Sequence, residues 1–231
     1  MKVFVISIKR FTKRRSLIKK MLRRVDLKYE FFEGVDGRSI SAINLKKYSK
    51  DSSFKEIGRD LTFSEIGCAL SHIKLYEKIL KLNIKKALIL EDDVVVSPFI
   101  KKILNNIHKL PKNWDLINFH TETKQMLSGN YIYKKYQITK FAKNARVERC
   151  SCYLLNIGGV KKILKHAYPV RMPADGLAGN LELLRINSYG VLPELVYLED
   201  LETMTKNRRS FILKSKYFSW SKKILEYIFN H

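Results

Sequence analysis

The feature that most constrains the fold is a continuous apolar run, Ala87-Leu88-Ile89-Leu90, which ends in three carboxylates, Glu91-Asp92-Asp93. A strand with one face in water alternates apolar and polar residues, whereas a strand covered on both faces is apolar throughout. The run therefore predicts a buried strand in a sheet with helices on both sides. In open α/β sheets, ligands bind beyond the carboxyl ends of the strands, and the acidic run, residues 91–93, falls at such an end.

The start of the chain predicts that this sheet is parallel. Residues 3–8 form a short apolar run rich in β-branched side chains, which is typical of a buried strand. A basic segment with helical spacing of apolar residues follows at 17–25, and residues 29–32 predict a second strand. A strand, a helix and a strand in this order favour a parallel pair joined by a right-handed crossover.

Strands and helices continue to alternate along the rest of the chain. Further strands are predicted at 114–119, 152–155 and 189–193, and further helices after Ser97-Pro98 and Gly158-Gly159. Residues 38–60 are expected to be irregular or short-helical, and the polar stretch 121–140 to be a hairpin or a mobile loop. Because no second domain boundary is visible, we predict a single α/β domain over residues 1–205.

A helix is predicted to begin at Thr62. Thr at the N-cap with Glu65 three residues later is the pattern of a capping box. The apolar stripe that this helix is expected to bury consists of Ile66, Ala69, Leu70, Ile73 and Leu80. With roughly 100° of rotation per residue, Glu65 and His72 lie about 20° apart around the helix. We therefore expect both side chains to point into one cleft.

The acidic run predicts a site for a divalent cation. Three neighbouring carboxylates repel one another unless a cation neutralises them. Oxygen ligands suit Mg²⁺ or Mn²⁺, which bridge one or two carboxylates to substrate phosphates. We expect Asp93 to bind the metal, with Glu91 as a second metal ligand, and Glu91 or Asp92 to contact metal-bound water or a ribose. The alternative is a solvated acidic turn.

A basic cluster is predicted at the end of the first strand and the start of the next helix. Backbone N–H groups at a helix start and arginine side chains together bind anions. The residues predicted to contact a nucleotide diphosphate here are Ser7, Arg10 and Arg15. Asp36, after the second strand, stands where an α/β protein recognises a nucleoside. The alternatives are an ordinary basic surface and, for Asp36, a turn.

The charge balance indicates an anionic partner. The chain has 45 Lys and Arg against 22 Asp and Glu, a formal net charge of +23. Nucleic acid, an acidic membrane face or a phosphorylated substrate would each fit this charge. A nucleic-acid-binding protein without catalytic activity would interleave basic residues with stacking aromatics, and only residues 131–136 do so inside the domain. We therefore favour a partner other than nucleic acid and keep this class as the alternative.

The C-terminal segment, residues 206–231, differs in composition from the domain. Lys and Arg alternate there with Trp, Phe, Tyr and long aliphatic residues, as in a helix that lies on an anionic membrane surface. The alternative is a helix docked on the core with a solvated basic face. No run approaches the ~20 apolar residues of a membrane span, and the apolar N-terminal run is too short for a signal peptide. We expect a cytoplasmic protein bound peripherally to the inner membrane.

Several segments in order resemble glycosyltransferase family 25, the bacterial lipooligosaccharide β-galactosyltransferase group related to collagen galactosyltransferases. The segments that carry the resemblance are Val5 to Arg10 with Arg14-Arg15, Phe31 to Gly37, Ser64 to His72, Leu88 to Val94, Cys152 to Leu155 before Gly158-Gly159, and Pro173-Ala174-Asp175. The E-x-G-C-x-x-S-H and E-D-D-V segments at this separation are its most specific part.

The resemblance implies the fold and the reaction. It implies a GT-A-like, single Rossmann-type domain with a mostly parallel central sheet flanked by helices, a UDP-galactose or UDP-glucose donor, and inversion at the anomeric carbon. The implied acceptor is a lipooligosaccharide, a lipopolysaccharide or a related lipid-linked or oligosaccharide surface glycan. An inverting enzyme needs a general base for the acceptor hydroxyl. Asp175 is the first candidate for this catalytic role, and Glu65 is the second.

Two further classes compete with this interpretation. A metal-dependent phosphohydrolase would need more Asp and His ligands for a two-metal centre than five scattered histidines supply. A lectin-like or scaffold protein would have no need of a charged strand end. The three cysteines, an odd number, predict no disulfide framework, and Cys150 and Cys152 are expected to be structural.

Overall fold

A computed structural model describes residues 1–110, 112–121 and 126–198, with the side chains of all of these except 126–128 and 198. The predicted membrane-binding segment, 206–231, and the end of the predicted domain lie outside the described residues. Within this part of the chain, no helix is long and apolar enough to cross a bilayer.

The described residues form ten strands in two sheets. The strands are β1 Lys2–Ser7, β2 Glu30–Glu33, β3 Lys86–Glu91, β4 Val94–Val96, β5 Leu116–Asn118, β6 Met126–Tyr133, β7 Tyr136–Phe141, β8 Cys152–Asn156, β9 Ser188–Leu192 and β10 Val196–Leu198. The large sheet has the order β2-β1-β3-β8-β5-β9-β7-β6, and β4 pairs with β10 in a separate two-stranded sheet.

Eight α-helices are found in the same residues. They are α1 Thr12–Arg24, α2 Ala42–Leu45, α3 Lys50–Ile57, α4 Phe63–Lys81, α5 Ile100–Asn105, α6 Ile157–Leu164, α7 Ala174–Ala178 and α8 Leu181–Leu184. Short 3₁₀ turns occur at Gly37–Ser39 and Ile107–Lys109. The capping box that predicted the start of α4 is formed, with Thr62 as the N-cap.

The large sheet is mostly parallel in strand direction, as predicted. The pairs β1–β2, β1–β3 and β5–β9 are parallel. The other four pairs in this sheet are antiparallel. When these directions are followed across the sheet, β7 and β8 run against the other six strands. The α/β prediction is confirmed.

Both faces of the central strands are covered, as the apolar run predicted. Successive residues of β3 point to opposite faces. Ile89 belongs to a core that contains residues of α4 and α6, whereas Leu88 and Leu90 belong to a core that contains residues of α1 and α5. All three side chains are fully buried. Truncating any of them to Ala is expected to cost about 2–5 kcal/mol of stability.

Three details differ from the sequence-based expectations. Strand β8 lies between β3 and β5 and is antiparallel to both. The stretch Val94–Val96 does not continue the large sheet but pairs with β10. Leu80 is 37% exposed, and α4 instead buries Tyr76 and Ile79, because Leu80 stands in the last turn of the helix, at the edge of the core.

The order of β1, β2 and β3 creates a crevice at their carboxyl ends. The chain passes from β1 to β2 on one side and later returns to β3 on the other side of β1. Connections that leave in opposite directions from neighbouring parallel strands leave open the space beyond their ends. Ser7 ends β1 and Glu91 ends β3, so the acidic run lies at this crevice.

Candidate functional site

Asp92 is fixed to the end of β1. The Ser7 hydroxyl donates a hydrogen bond to Asp92 Oδ2 at 2.5 Å. Both residues are buried, with Asp92 only 7% exposed. Burial raises the pKa of Asp92, while the Ser7 hydrogen bond and Arg14 oppose that rise. The acidic run is therefore a built part of the crevice and not a solvated turn.

Asp93 has one carboxylate oxygen in an unusual environment. Its Oδ2 accepts a hydrogen bond from Arg14 Nη1 at 3.1 Å. Its Oδ1 is buried and has no hydrogen-bond partner among the described residues. Burial, followed by the negative charge of Glu91, raises the pKa of Asp93 to about 6. A buried carboxylate oxygen without a partner is costly, and a cation bound there would remove that cost.

Arg14 is the basic residue that contacts the acidic run. Its guanidinium lies 3.4 Å from Asp92 Oδ1 and 3.1 Å from Asp93 Oδ2, and it stacks on the Phe11 ring at 4.9 Å. Sequence reasoning had placed Arg10 and Arg15 at the diphosphate instead. The position of Arg14 in the first turn of α1, whose start follows β1, was the signal that could have identified it.

Arg10 and Asp36 form a second pair at the same end of the sheet. Arg10 donates two hydrogen bonds to the Asp36 carboxylate, at 2.5 and 2.9 Å. This arginine lowers the pKa of Asp36, helped by the backbone N–H of Arg38. Arg15 faces Glu33 at 3.5 Å and stacks on the Phe31 ring at 4.2 Å. The structure thus brings Arg10 to Asp36 and turns Arg15 towards β2.

Glu91 faces α4 and is held by a chain of aromatic side chains. Its Oε1 lies 3.2 Å from His72 Nε2 and 3.7 Å from Cys68 Sγ. The other ring nitrogen of His72 is 2.6 Å from the Tyr153 hydroxyl, which contacts the Tyr76 hydroxyl. His72, Tyr153 and Tyr76 are almost fully buried. Sequence reasoning had expected His72 in the cleft, and it missed Cys68, Tyr76 and Tyr153.

The start of α4 lies directly on the loop that follows β2. A Cβ atom at Gly67 would be 2.7 Å from the Val35 carbonyl oxygen, and one at Gly37 would be 2.2 Å from the Phe63 carbonyl oxygen. The Ser71 hydroxyl accepts a hydrogen bond from Val35 N at 2.7 Å and donates one to the Gly67 carbonyl at 2.6 Å. The close approach of Val35 needs a residue without a side chain at Gly67, and the two hydrogen bonds need a hydroxyl at Ser71. These contacts account for the glycine and the serine of the E-x-G-C-x-x-S-H segment.

Glu65 has a structural role at the start of α4. Its carboxylate accepts from Thr62 N at 2.8 Å and pairs with the Arg59 guanidinium at 2.6 Å. These contacts, chiefly that with Arg59, lower the pKa of Glu65 to about 2. A carboxylate of such low pKa accepts a proton poorly at neutral pH. Glu65 and His72 do not share the cleft as predicted, because the capping box turns Glu65 back towards Thr62.

Asp175 stands at the first turn of α7, which packs against α4. Its Oδ1 accepts a hydrogen bond from Gly176 N at 2.8 Å. Surrounding protein atoms, then the negative charges of Glu91 and Asp175, raise the pKa of the Cys68 thiol. Asp175 therefore acts electrostatically on the same part of the crevice as Glu91. Its side chain is partly exposed and remains open to a ligand.

The residues present fit a hard divalent cation. Asp93 offers a buried oxygen to which no described residue donates a hydrogen bond, and Glu91 and Asp92 stand beside it with further carboxylate oxygens. Hard cations such as Mg²⁺ and Mn²⁺ take such ligands. A second group of possible ligand atoms belongs to Cys68, His72 and Glu91, and these atoms all lie within 4.8 Å of one another. This group differs from the first because it offers sulfur and nitrogen as well as oxygen.

Comparison with known proteins identifies the family. The family model described as "Glycosyltransferase family 25 (LPS biosynthesis protein)" matches residues 1–178, a range that contains every residue of the crevice described above. The chain belongs to glycosyltransferase family 25. The resemblance seen in the sequence segments is thereby confirmed.

Relatives of this family 25 chain are found in animals. A glycosyltransferase 25 family member from Aedes aegypti is 28% identical over 171 residues, covering 71% of the chain and 28% of the relative. Procollagen galactosyltransferase 2 from Mus musculus is 29% identical over 123 residues, covering 50% of the chain and 20% of the relative. The chain therefore spans about a quarter of the length of these curated relatives.

Among solved structures, one similar chain is the galactosyltransferase LgtC in complex with donor and acceptor sugar analogues. It is 13% identical in sequence, with a TM-score of 0.43, over 78% of the family 25 chain and 70% of that chain. A second is a glycosyltransferase involved in glycosylation of the major capsid of PBCV-1, with a TM-score of 0.35 and 13% identity, over 72% and 65% of the two chains.

Proposed function

We propose that the chain is an inverting, metal-dependent glycosyltransferase that moves a hexose, galactose or glucose, from a UDP-sugar to a glycan acceptor. The observation that carries the proposal is the buried Asp93 Oδ1, which has no hydrogen-bond partner in the part of the chain that the structure describes, at the crevice between β1 and β3. Membership of family 25 supports glycosyl transfer as the reaction. An acidic strand end beside arginines suits a ligand that is both anionic and bound through a divalent cation.

In this proposal Asp93 and Glu91 hold Mn²⁺ or Mg²⁺. The cation, when bound, supplies positive charge to the departing diphosphate. Ser7 fixes Asp92 through their hydrogen bond, and His72 fixes Glu91 through its Nε2. These two contacts hold the flanking carboxylates in place, so a cation meets oxygens that need little rearrangement.

The arginines and Asp36 are assigned to the nucleotide. Arg14 already contacts two carboxylates of the acidic run, which supports its assignment to the diphosphate. Arginine binds phosphate oxygens in a planar, two-pronged arrangement. Arg10 orients Asp36, whose carboxylate is thereby set to accept hydrogen bonds from a ribose. Arg15, which belongs to α1, supports this region by pairing with Glu33 at the end of β2.

Asp175 is the proposed general base. Inversion is a single displacement, so a base must take the acceptor hydroxyl proton on the face opposite the leaving diphosphate. Asp175 comes from α7, whereas the acidic run comes from β3, and the two reach the crevice from different elements. The partly exposed carboxylate of Asp175 is accessible to an acceptor, whereas Glu65 is already engaged by Arg59 and Thr62.

The acceptor is proposed to be a lipooligosaccharide, a lipopolysaccharide or a related surface glycan at the cytoplasmic face of a bacterial inner membrane. The net charge of +23 and the basic, aromatic composition of residues 206–231 favour an anionic surface nearby. The patch that favoured nucleic acid is packed inward in part, since Tyr136 is 1% exposed and Tyr133 contacts Phe99. Of its tyrosines, Tyr131 is exposed.

The deciding experiment is a donor screen that measures UDP release, with and without Mn²⁺ or Mg²⁺. We expect release from UDP-galactose or UDP-glucose that depends on the cation. Loss of a residue that only hydrogen-bonds to a metal ligand costs up to about 100-fold in activity. Asp93 is itself a proposed ligand, so Asp93→Asn should lower kcat by at least about 100-fold. Asp51→Asn changes an exposed carboxylate on α3 and is the matched control. Full activity in Asp93→Asn, or turnover of no nucleotide sugar, would refute the proposal.

A further inference from the structure

Glu91 has a second set of neighbours, of which the proposed transfer reaction uses His72 only to position Glu91 and does not use Cys68 at all. Its Oε1 is the meeting point of Cys68 Sγ at 3.7 Å and His72 Nε2 at 3.2 Å. We propose that Cys68, His72 and Glu91 form a binding site for a thiophilic divalent cation of the Zn²⁺ type. This site is distinct in chemistry from the all-oxygen site at Asp93, although Glu91 borders both.

The backbone places these three ligands without any loop. Cys68 and His72 are four residues apart on α4, so they project from the same face of the helix. Glu91 is the last residue of β3, the strand that ends beside this helix face. Two ligands spaced by one helical turn and a third from a neighbouring element is a recurrent arrangement in zinc proteins.

The distances are close to those of a tetrahedral zinc site. Bonds of about 2.3 Å to sulfur and about 2.0–2.2 Å to nitrogen or oxygen put neighbouring ligand atoms roughly 3.3–3.6 Å apart. The two contacts of Glu91 Oε1, at 3.7 and 3.2 Å, lie beside this range. All three ligand atoms lie within 4.8 Å of one another, so the most distant pair has to approach by no more than about 1.5 Å to bind one ion.

A second observation points to a metal-binding histidine. Histidines that bind metals through one ring nitrogen have the other nitrogen held by a hydrogen-bond partner. His72 Nδ1 is 2.6 Å from the Tyr153 hydroxyl, and the two rings stack with centroids 5.9 Å apart. Tyr153 is in turn held by Tyr76. The ring of His72 is therefore fixed, with Nε2 directed at Glu91 before any ion binds.

The group is also accessible. As a residue Cys68 is exposed to solvent although protein atoms surround its thiol, whereas the other two cysteines, Cys150 and Cys152, are buried. An ion can therefore reach the site from solvent, and a water molecule can fill the fourth position. On binding, the ion displaces the Cys68 thiol proton to solvent and bonds to the thiolate, while His72 binds as the neutral imidazole.

The experiment is a titration of the full chain with Co²⁺, a spectroscopic substitute for Zn²⁺, followed by displacement with Zn²⁺. Coordination by a thiolate gives a charge-transfer absorption in the near ultraviolet. We expect this absorption to saturate at one equivalent and to vanish on adding Zn²⁺. Because binding is measured directly, the outcome does not depend on whether the chain transfers any sugar.

The variants assign the absorption to residues. Cys68→Ser keeps both buried thiols and changes an exposed position, so it is expected to fold and to lose the absorption entirely. His72→Gln is expected to weaken Co²⁺ binding at least about tenfold. The control is His108→Gln, which changes an exposed histidine in the turn after α5 and should bind Co²⁺ as the unmodified chain does. Asp93→Asn should retain the absorption.

Three results would overturn the proposal. The first is an unmodified chain that gives no thiolate absorption with Co²⁺. The second is a Cys68→Ser variant that still shows it, because the sulfur ligand would then be another cysteine. The third is loss of the absorption in Asp93→Asn with the fold intact by circular dichroism, which would make the two groups one site.

Discussion

At the scale of residues, three consecutive carboxylates have three different environments. Asp92 is buried and satisfied by Ser7. One oxygen of Asp93 accepts a hydrogen bond from Arg14, and the other is buried with no partner among residues 1–110, 112–121 and 126–198. Glu91 points to α4, where His72 and Cys68 surround it. Glu91 ends β3, whereas Asp92 and Asp93 lie in the turn that follows it, so the three side chains take different directions and serve different purposes.

The first prediction concerns the dependence of stability on pH. The pKa of Asp93 is raised from 3.8 to about 6 in the folded protein, so between about pH 4 and pH 6 the folded state binds more protons than the unfolded chain. The contribution of Asp93 to the free energy of unfolding therefore falls as pH rises through this window and stays low above it. Asp93→Asn removes the titrating group and should gain up to about 3 kcal/mol relative to the unmodified chain from pH 4 to pH 7.

Denaturant unfolding of both proteins at the two pH values, without divalent cations, measures this gain. Asp51→Asn, at an exposed carboxylate, serves as the control and should show little change in the same comparison. A stability difference between Asp93→Asn and the unmodified chain that is the same at both pH values would contradict the raised pKa.

The second prediction separates the two candidate bases. Asp175→Asn removes the proposed base and should lower kcat by about 100-fold or more, with little change in donor KM. Glu65→Gln keeps a side chain that can complete the capping box and should retain most of the activity, with only a small loss of stability because the broken Arg59 pair lies at the surface. Steady-state kinetics and thermal unfolding of both variants provide the comparison. The reverse pattern would return the catalytic role to Glu65.

At the scale of elements, the contact between α4 and the loop after β2 aligns the site. Gly67 allows the Val35 carbonyl to touch the helix, and Ser71 ties the same loop by hydrogen bonds. Asp36 lies within this loop, and His72 follows Ser71 on the helix. The loop–helix contact thus fixes the spacing between the proposed nucleoside contact and the side chain that orients Glu91.

The third prediction tests this contact by Gly67→Ala. In an exposed helix, Ala is favoured over Gly by about 1 kcal/mol. Here the added Cβ would lie 2.7 Å from the Val35 carbonyl oxygen, so backbone must shift and we expect a net loss of about 2 kcal/mol or more. Gly176→Ala in α7 is the control, since its Cβ would meet its nearest neighbour at 3.4 Å. Equal thermal stability of the two variants would show that the α4 contact is not tight.

At the scale of the whole molecule, the sheet order and the charge distribution act together. The chain leaves β1 towards β2 on one side and returns to β3 on the other, which opens a crevice at the carboxyl ends of β1 and β3. The proposed substrates carry negative charge on their phosphates. A chain of +23 attracts such ligands and anionic surfaces from a distance. Residues 206–231 add the aromatic component that would hold the chain at a membrane.

The fourth prediction is that these residues bind anionic membranes. The full chain should float with liposomes that contain anionic lipids, and a chain truncated after Thr205 should float much less, because about 1 kcal/mol per Lys or Arg near the surface is lost with the segment. Liposomes of neutral lipid are the control and should bind both chains weakly. Equal flotation of the two chains on anionic liposomes would exclude this segment as the anchor.

Much of the fold followed from local patterns in the sequence. The apolar run at Ala87–Leu90, the capping box at Thr62 and the β-α-β opening predicted β3, α4 and the parallel strands around β1. The antiparallel insertion of β8 was not predictable in this way, because a buried strand has the same apolar pattern in either direction. The exposure of Leu80 was missed since helical periodicity predicts a stripe but not where a helix leaves the core.

The sequence by itself determined which groups are available: an acidic run at a buried strand end, arginines at the following helix start, and a capped helix that carries Gly67, Ser71 and His72. Only the tertiary structure decided which of them meet. It paired Arg14 with the acidic run, turned Arg15 towards Glu33, engaged Glu65 with Arg59 and brought Cys68 and His72 to Glu91. Most of these pairings join different elements of the fold, and even that of Glu65 with Arg59, six residues apart, depends on packing angles and rotamers that no local pattern specifies.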